Sequence, residues 1–137
     1  MIAALPAAAT FVPGRSLAGV RLGEPAAEVR AHLGSDYGVC RGCATTTWYF
    51  TYRRFDDKGL GIELTRGRVS AVYTLWQPPG WHSSTTALGD PQEKVGPALT
   101  VVCSGYDALV RGTSVYYVVD SKVWGFGLLR RDRSPCR

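Results

Sequence analysis

The chain has 137 residues, 45% hydrophobic, 11% aromatic and 20% charged, with 16 glycines and 8 prolines. That composition belongs to a globular chain with enough apolar mass for one core and excludes the disordered and collagen-like classes, while no run approaches the roughly 18 apolar residues of a membrane-crossing helix. The net charge of +5 comes from 16 basic residues, 13 of them arginine, spread from Arg15 to Arg137 rather than gathered into a stripe, which argues against a specific nucleic-acid partner.

In chain order, residues 1–15 read as the remnant of an export signal or a disordered tail. A short apolar stretch from Ile2 to Ala9 closes on Ala7, Ala8 and Ala9, the small-residue pattern that precedes a signal cleavage, although no basic segment comes before it. Residues 16–76 then form a first unit, 77–84 a linker with two prolines, a glycine and two serines, and 85–137 a second unit.

The division rests on a repeated phrase. Residues 22–33 read LGEPAAEVRAHL and residues 88–99 read LGDPQEKVGPAL. Each phrase is expected to start a helix, with Glu24 or Asp90 as the cap and Pro25 or Pro91 at the first helical position, where a missing N–H costs nothing. Val29 with Leu33, and Val95 with Leu99, would then share one helical face. Gly96 and Pro97 should kink or stop the second helix early and leave Leu99 to pack from a turn.

After each phrase the pattern turns strand-like, with β-branched and aromatic residues bounded by turn signals. The segments are 45–52, 59–64 and 68–76 in the first unit and 106–110, 113–120 and 122–130 in the second, with tight hairpins before Arg68 and Lys122. The expected fold is therefore α+β: two tandem helix-plus-antiparallel-strand repeats that join into one sheet of about six strands, with the helices on one face. The result is one structural domain.

These features resemble known exported proteins. A glycine-containing turn, the helical VRAHLG of 29–34, a WYF strand and a GRVSAV hairpin resemble the unit of the small lipoprotein of the outer-membrane barrel assembly machine. Two such units in tandem, with cysteines, resemble the secreted β-lactamase inhibitory protein family of bacteria. The resemblance implies a helix-plus-sheet tandem whose concave sheet face binds another protein, inhibitor-like, and it implies no catalysis. It supplies no contact residues.

Four cysteines, an even number, point to an oxidising, extracytoplasmic compartment, either secreted or at the cell envelope. Cys40 and Cys43 form a C-x-x-C pair, which is a structural disulfide, a redox pair or half of a zinc site. A redox pair needs a helix N-terminus just after it, and a strand signal follows instead. Zinc needs two further ligands, and Cys103 and Cys136 are isolated. No metal or cofactor is expected. Spacing leaves three pairings open, and the expected one is Cys40–Cys43 with Cys103–Cys136, the second pinning the tail from Arg131 to Arg137.

Little else carries chemistry. His32 and His82 stand far apart, and there is neither a nucleophile elbow nor a phosphate loop. The protein is expected to be no enzyme, with a thiol–disulfide oxidoreductase at Cys40 and Cys43 as the alternative. What remains is aromatic residues on both faces of the strands, and alternation leaves open which face is core. The expected binding residues are Tyr49, Tyr73, Trp76, Trp81 and Tyr116, with Arg53 at the rim, on a monomer that presents a sheet face to another protein.

Overall fold

The computed structural model describes residues 10–51, 59–75 and 81–137. In chain order the elements are β1 (Thr10–Val12), β2 (Ser16–Leu17), α1 (Ala26–Leu33), β3 (Gly38–Val39), β4 (Thr46–Thr51), β5 (Gly59–Thr65), β6 (Arg68–Leu75) and β7 (His82–Ser83). A single 3₁₀ turn over Gln92–Val95 follows, then β8 (Leu99–Val102), β9 (Asp107–Arg111), β10 (Ser114–Val119) and β11 (Lys122–Leu129). Among the described residues no helix is long and apolar enough to cross a membrane.

Two hairpins set the main sheet. Arg66 and Gly67 turn β5 into β6 with φ of 54° and 76°, and Asp120 and Ser121 turn β10 into β11 with φ of 52° and 63°. Two consecutive positive φ values make the turn whose twist matches that of antiparallel strands. The hairpins lie side by side through β6 and β11, so the eight strands run β3-β4-β5-β6-β11-β10-β9-β8. A second sheet of three strands, β2-β1-β7, packs with α1 over one face, here called the covered face.

This corrects the expected fold. The molecule is mostly β, with one α-helix among the described residues and sheets of eight and three strands, and it is not a pair of helix-plus-strand repeats. The phrases are the reason. Pro25 and Pro91 are not first helical residues but extended caps, with ψ of 153° and 145°, and neither helix start has a side-chain cap. Each phrase instead clamps a hairpin through its backbone. Gly23 N–H donates to Val69 O at 2.8 Å, Val69 N–H to Glu24 O at 2.8 Å and Ala26 N–H to Gly67 O at 2.9 Å. Gly89 N–H donates to Val123 O at 2.7 Å, Val123 N–H to Asp90 O at 2.8 Å and Gln92 N–H to Ser121 O at 2.9 Å. After the first clamp α1 runs two turns. After the second, Gly96 at φ 79° and Pro97 end the helix at Val95, and Leu99 lies on an edge strand, 68% exposed, rather than packed in a turn.

The register shifts once in each hairpin, at Ser70 on β6 and at Trp124 on β11, where two residues oppose one. These bulges let Val69 and Val72, and likewise Val123 and Phe126, all face the covered side although they are three residues apart. The core gathers there: Phe50, Ile62, Val72 and Phe126 from the sheet, Val29 and Leu33 from α1, and Phe11 and Leu17 from the small sheet. Phe11 is 0% exposed, stacked 5.0 Å from Phe126 and edge-on 5.5 Å from Tyr116. Residues 10–15, read from sequence as part of an export-signal remnant or a disordered tail, include the core strand β1. Residues 1–9 lie outside the described residues.

Phe11→Ala should cost about 3–5 kcal/mol, the toll of a buried phenylalanine truncated in a packed core. Urea unfolding of the variant checks it; a loss below about 1 kcal/mol would mean β1 is not part of the cooperative core.

Candidate functional site

The other face of the sheet carries no helix among the described residues. It is crossed by residues 130–137, a strap bonded to the face at several points. Cys136 is bonded to Cys103, with Cα atoms 5.5 Å apart. Arg133 donates to the hydroxyls of Thr45 (3.3 Å) and Thr65. Arg137 Nε lies 3.1 Å from Glu63 Oε2, and its guanidinium sits 5.3 Å over the Tyr73 ring. Tyr106 donates its hydroxyl to Arg137 O at 2.7 Å and accepts from Arg137 N–H. Cys40 and Cys43 form the other disulfide, Cα atoms 5.8 Å apart, in the turn between β3 and β4.

Beside the strap lies a depression of about 270 Å³ lined by Tyr49, Tyr73, Thr74, Leu75, Tyr106, Tyr117, Trp124 and Arg137. Its rings touch edge-on: Tyr106 is 5.8 Å from Tyr117 and 6.0 Å from Trp124. Glycines make the floor. A methyl group at Gly61 would stand 2.6 Å from the Tyr73 ring, and one at Gly127 would stand 3.0 Å from the Tyr117 hydroxyl, so both rings lie flat where any other residue would lift them.

The electrostatics are those of a partly dry surface. Burial first, then the Glu63 carboxylate, holds the Tyr73 phenol far above its usual range. Burial does the same to Tyr117, 2% exposed, whose hydroxyl has no hydrogen-bond partner among the described residues. Glu63 is itself buried, and its carboxylate pairs with Arg137 on this face.

Of the residues expected from sequence, the structure brings Tyr49 and Tyr73 to the depression. Tyr116 faces the covered side, buried beside Phe11 and Phe126. Trp81 is 1% exposed in the same core, next to β7, which pairs with β1. Arg53 and Trp76 lie outside the described residues. Sequence reasoning missed Tyr106, Tyr117, Trp124 and Arg137. Tyr117 was legible as the neighbour of Tyr116 on the opposite face. Trp124 was not, because the bulge turns it and Gly125 together onto the open face.

No known family model matches the chain, and no curated protein does. Among solved structures it is similar to a cysteine-rich secretory protein from Staphylococcus aureus, at 12% identity and a TM-score of 0.53, covering 81% of this chain and 44% of that one. An extracellular protein containing an SCP domain, from Bacillus anthracis, is also similar, at 12% identity and a TM-score of 0.47, covering 80% of this chain and 44% of that one. At such identity the first likeness is one of fold alone, and this chain spans less than half the length of either neighbour. Neither neighbour is a β-lactamase inhibitory protein or an outer-membrane assembly lipoprotein, so the resemblance drawn from the repeated phrase is corrected. It depended on a second helix that Gly96 and Pro97 prevent.

Two predictions follow from this geometry. A phenol harder to ionise folded than unfolded supports the fold below its unfolded pKa of about 10, and that support is lost as pH rises beyond it. Stability should therefore fall above pH 10 with about 1.4 kcal/mol per pH unit for each of Tyr73 and Tyr117, and Tyr73→Phe or Tyr117→Phe should each remove one such increment from the slope in urea unfolding. Separately, Arg137→Met strands the Glu63 carboxylate and should cost about 1–3 kcal/mol, most of which the double variant with Glu63→Gln recovers. Additive losses in that double-mutant cycle would show the ion pair to be idle.

Proposed function

We propose that the protein is an extracytoplasmic, non-catalytic binding module that holds a partner protein against the aromatic depression of its open sheet face. The observation that carries this reading is the gathering of Tyr49, Tyr73, Tyr106, Tyr117 and Trp124 around Arg137 on a face that carries no helix among the described residues. Tyrosine, tryptophan and arginine are the side chains in which binding energy concentrates, and rings held flat on glycine lose little freedom when a partner arrives. Two disulfides support a place outside the reducing cytosol, as does the description of the Staphylococcus aureus neighbour as secretory.

The enzymatic alternative gains nothing from the geometry. A thiol–disulfide exchange centre draws its reactivity from a helix N-terminus after the cysteine pair, and here β4 follows Cys43 while α1 ends at Leu33. His32 and His82 are exposed on elements of the covered side, and neither borders the depression.

Tyr49 and Trp124 are half-exposed, so Tyr49→Ala and Trp124→Ala should leave the fold intact. A protein captured saturably from the exported fraction of the producing cells should lose about 2 kcal/mol of affinity, roughly 30-fold, for each variant. Equal affinity for wild type and both variants, with near-ultraviolet circular dichroism unchanged, would overturn the reading.

A further inference from the structure

The strap divides the open face, and on its far side lies a second depression of about 390 Å³ that shares no residue with the aromatic one. Its floor is aliphatic, Leu99 and Val101 of β8, Val110 of β9, Val115 of β10 and Leu129 of β11, and its rim carries Arg130, Arg131 and Arg133 of the strap, the last of them bonded to Thr45 and Thr65. Arg130 is already held by Asp132 through bonds of 2.9 and 2.7 Å. Arg131 is exposed and has no carboxylate within ion-pair reach among the described residues, and it leans on the β9–β10 turn, its Nη2 3.7 Å from where a Cβ at Gly112 would stand.

The depression opens onto the edge of the sheet. The two edges of the large sheet differ. β3 has two residues and runs straight into the disulfide-closed turn at Cys40, a short blunted edge. β8 has four uncharged residues, Leu99-Thr100-Val101-Val102, in continuous register with β9 and without proline, bulge or charge, and Leu99 and Val102 are 68% and 80% exposed. Cys103 N–H donates to Tyr106 O at 2.9 Å, which fixes the alternation. Val101 and Leu99 therefore exchange bonds with Ala108 and Val110, and the backbone groups of Thr100 and the N–H of Val102 point away from β9. No described residue takes them.

We propose that β8 and the adjoining depression receive an extended acidic segment of a partner protein, added as a further strand whose inward positions alternate between an apolar side chain over Leu99 and Val101 and a carboxylate on Arg131. Outward N–H and C=O groups call for a strand, the aliphatic floor calls for apolar alternate positions, and the unpaired guanidinium calls for an acid. A second copy of this chain fits less well, since each copy carries a net charge of +5 and would bring its own Arg131 to the same seam. The proposal stands apart from the aromatic depression and can fail or hold without it.

The probe is the heptapeptide Val-Thr-Glu-Thr-Val-Thr-Glu, with lysine in place of glutamate as its counterpart, read by amide hydrogen exchange and amide chemical shifts. The acidic peptide should slow exchange at Thr100 and Val102 at least about tenfold, and the lysine peptide should not. Arg131→Glu should weaken binding about tenfold or more. Thr100→Pro should abolish it, because the Thr100 N–H points away from β9 and bonds no described residue, so its removal breaks no ladder. Trp124→Ala should leave it unchanged. Unaltered exchange at Thr100 and Val102, equal binding of the lysine peptide, or protection of these amides without peptide alongside a dimer in sedimentation would each overturn it.

Discussion

The two faces of this molecule are tied together by a short ladder in the middle of the large sheet. β6 and β11 pair over three residues only, Gly127 with Tyr73, Leu128 with Val72 and Leu129 with Ala71. Beyond that point Thr74 takes over with its hydroxyl, which accepts the Phe126 N–H at 3.0 Å and is buried. The aromatic depression draws Tyr49 and Tyr73 from one side of this seam and Tyr117 and Trp124 from the other. On the covered face Val72 and Leu128, neighbours in the ladder, lie in the core with Phe126 and Phe11. The same seam that closes the core thus assembles the opposite surface, and neither hairpin holds the site alone.

A second constraint keeps that surface in order. Fixing the backbone of the strap costs roughly 1–2 kcal/mol per residue, and the hydrogen bonds of Arg133 and Arg137, each with a net value near 1 kcal/mol, do not cover it. The Cys103–Cys136 bond closes a loop across 33 positions, worth about 4 kcal/mol on the chain-entropy account, and places Arg137 next to Glu63 before any ion pair forms. A carboxylate as buried as Glu63 is costly without a cation, so the disulfide, the strap and the carboxylate are one device. They also partition the open face into an aromatic half and an aliphatic half.

The strands were legible because their signals are local. The sequence segments 45–52, 59–64, 68–76, 106–110, 113–120 and 122–130 coincide closely with β4, β5, β6, β9, β10 and β11. Faces were less legible. Strict alternation separates Tyr116 from Tyr117, but only the packing of Phe11 against Tyr116 decides which of them is core, and Phe11 comes from a strand 105 positions earlier whose own three residues carry no period. Trp81 hides in the same way, a core tryptophan within a segment of proline, glycine and serine chemistry. Trp124 follows no alternation because a bulge moves it. β8 was lost behind Gly96 and Pro97, which forbid a helix and say nothing against an edge strand.

The repeated phrase carries a lesson of a different kind. What LGEP and LGDP share is a backbone route, not a helix. Gly23 and Gly89 hold φ of 87° and 91°, a conformation that glycine adopts at little cost, and each is followed by an acid whose carbonyl accepts the N–H of Val69 or Val123 and by a proline held extended. The side chains of the acids do not cap. Asp90 turns back to accept the Ala87 N–H at 2.9 Å. In both places the clamp meets its hairpin one residue before the bulge, so it fixes the start of β6 and of β11 with the valine inward. A helix then forms only where the following residues permit one, and that is why two phrases so alike end in an α-helix on one side and a lone 3₁₀ turn on the other. Sequence likeness here reports shared register, and it is the register, through the two inward valines and the bulges beside them, that sends Trp124 to the open face and Phe126 to the core.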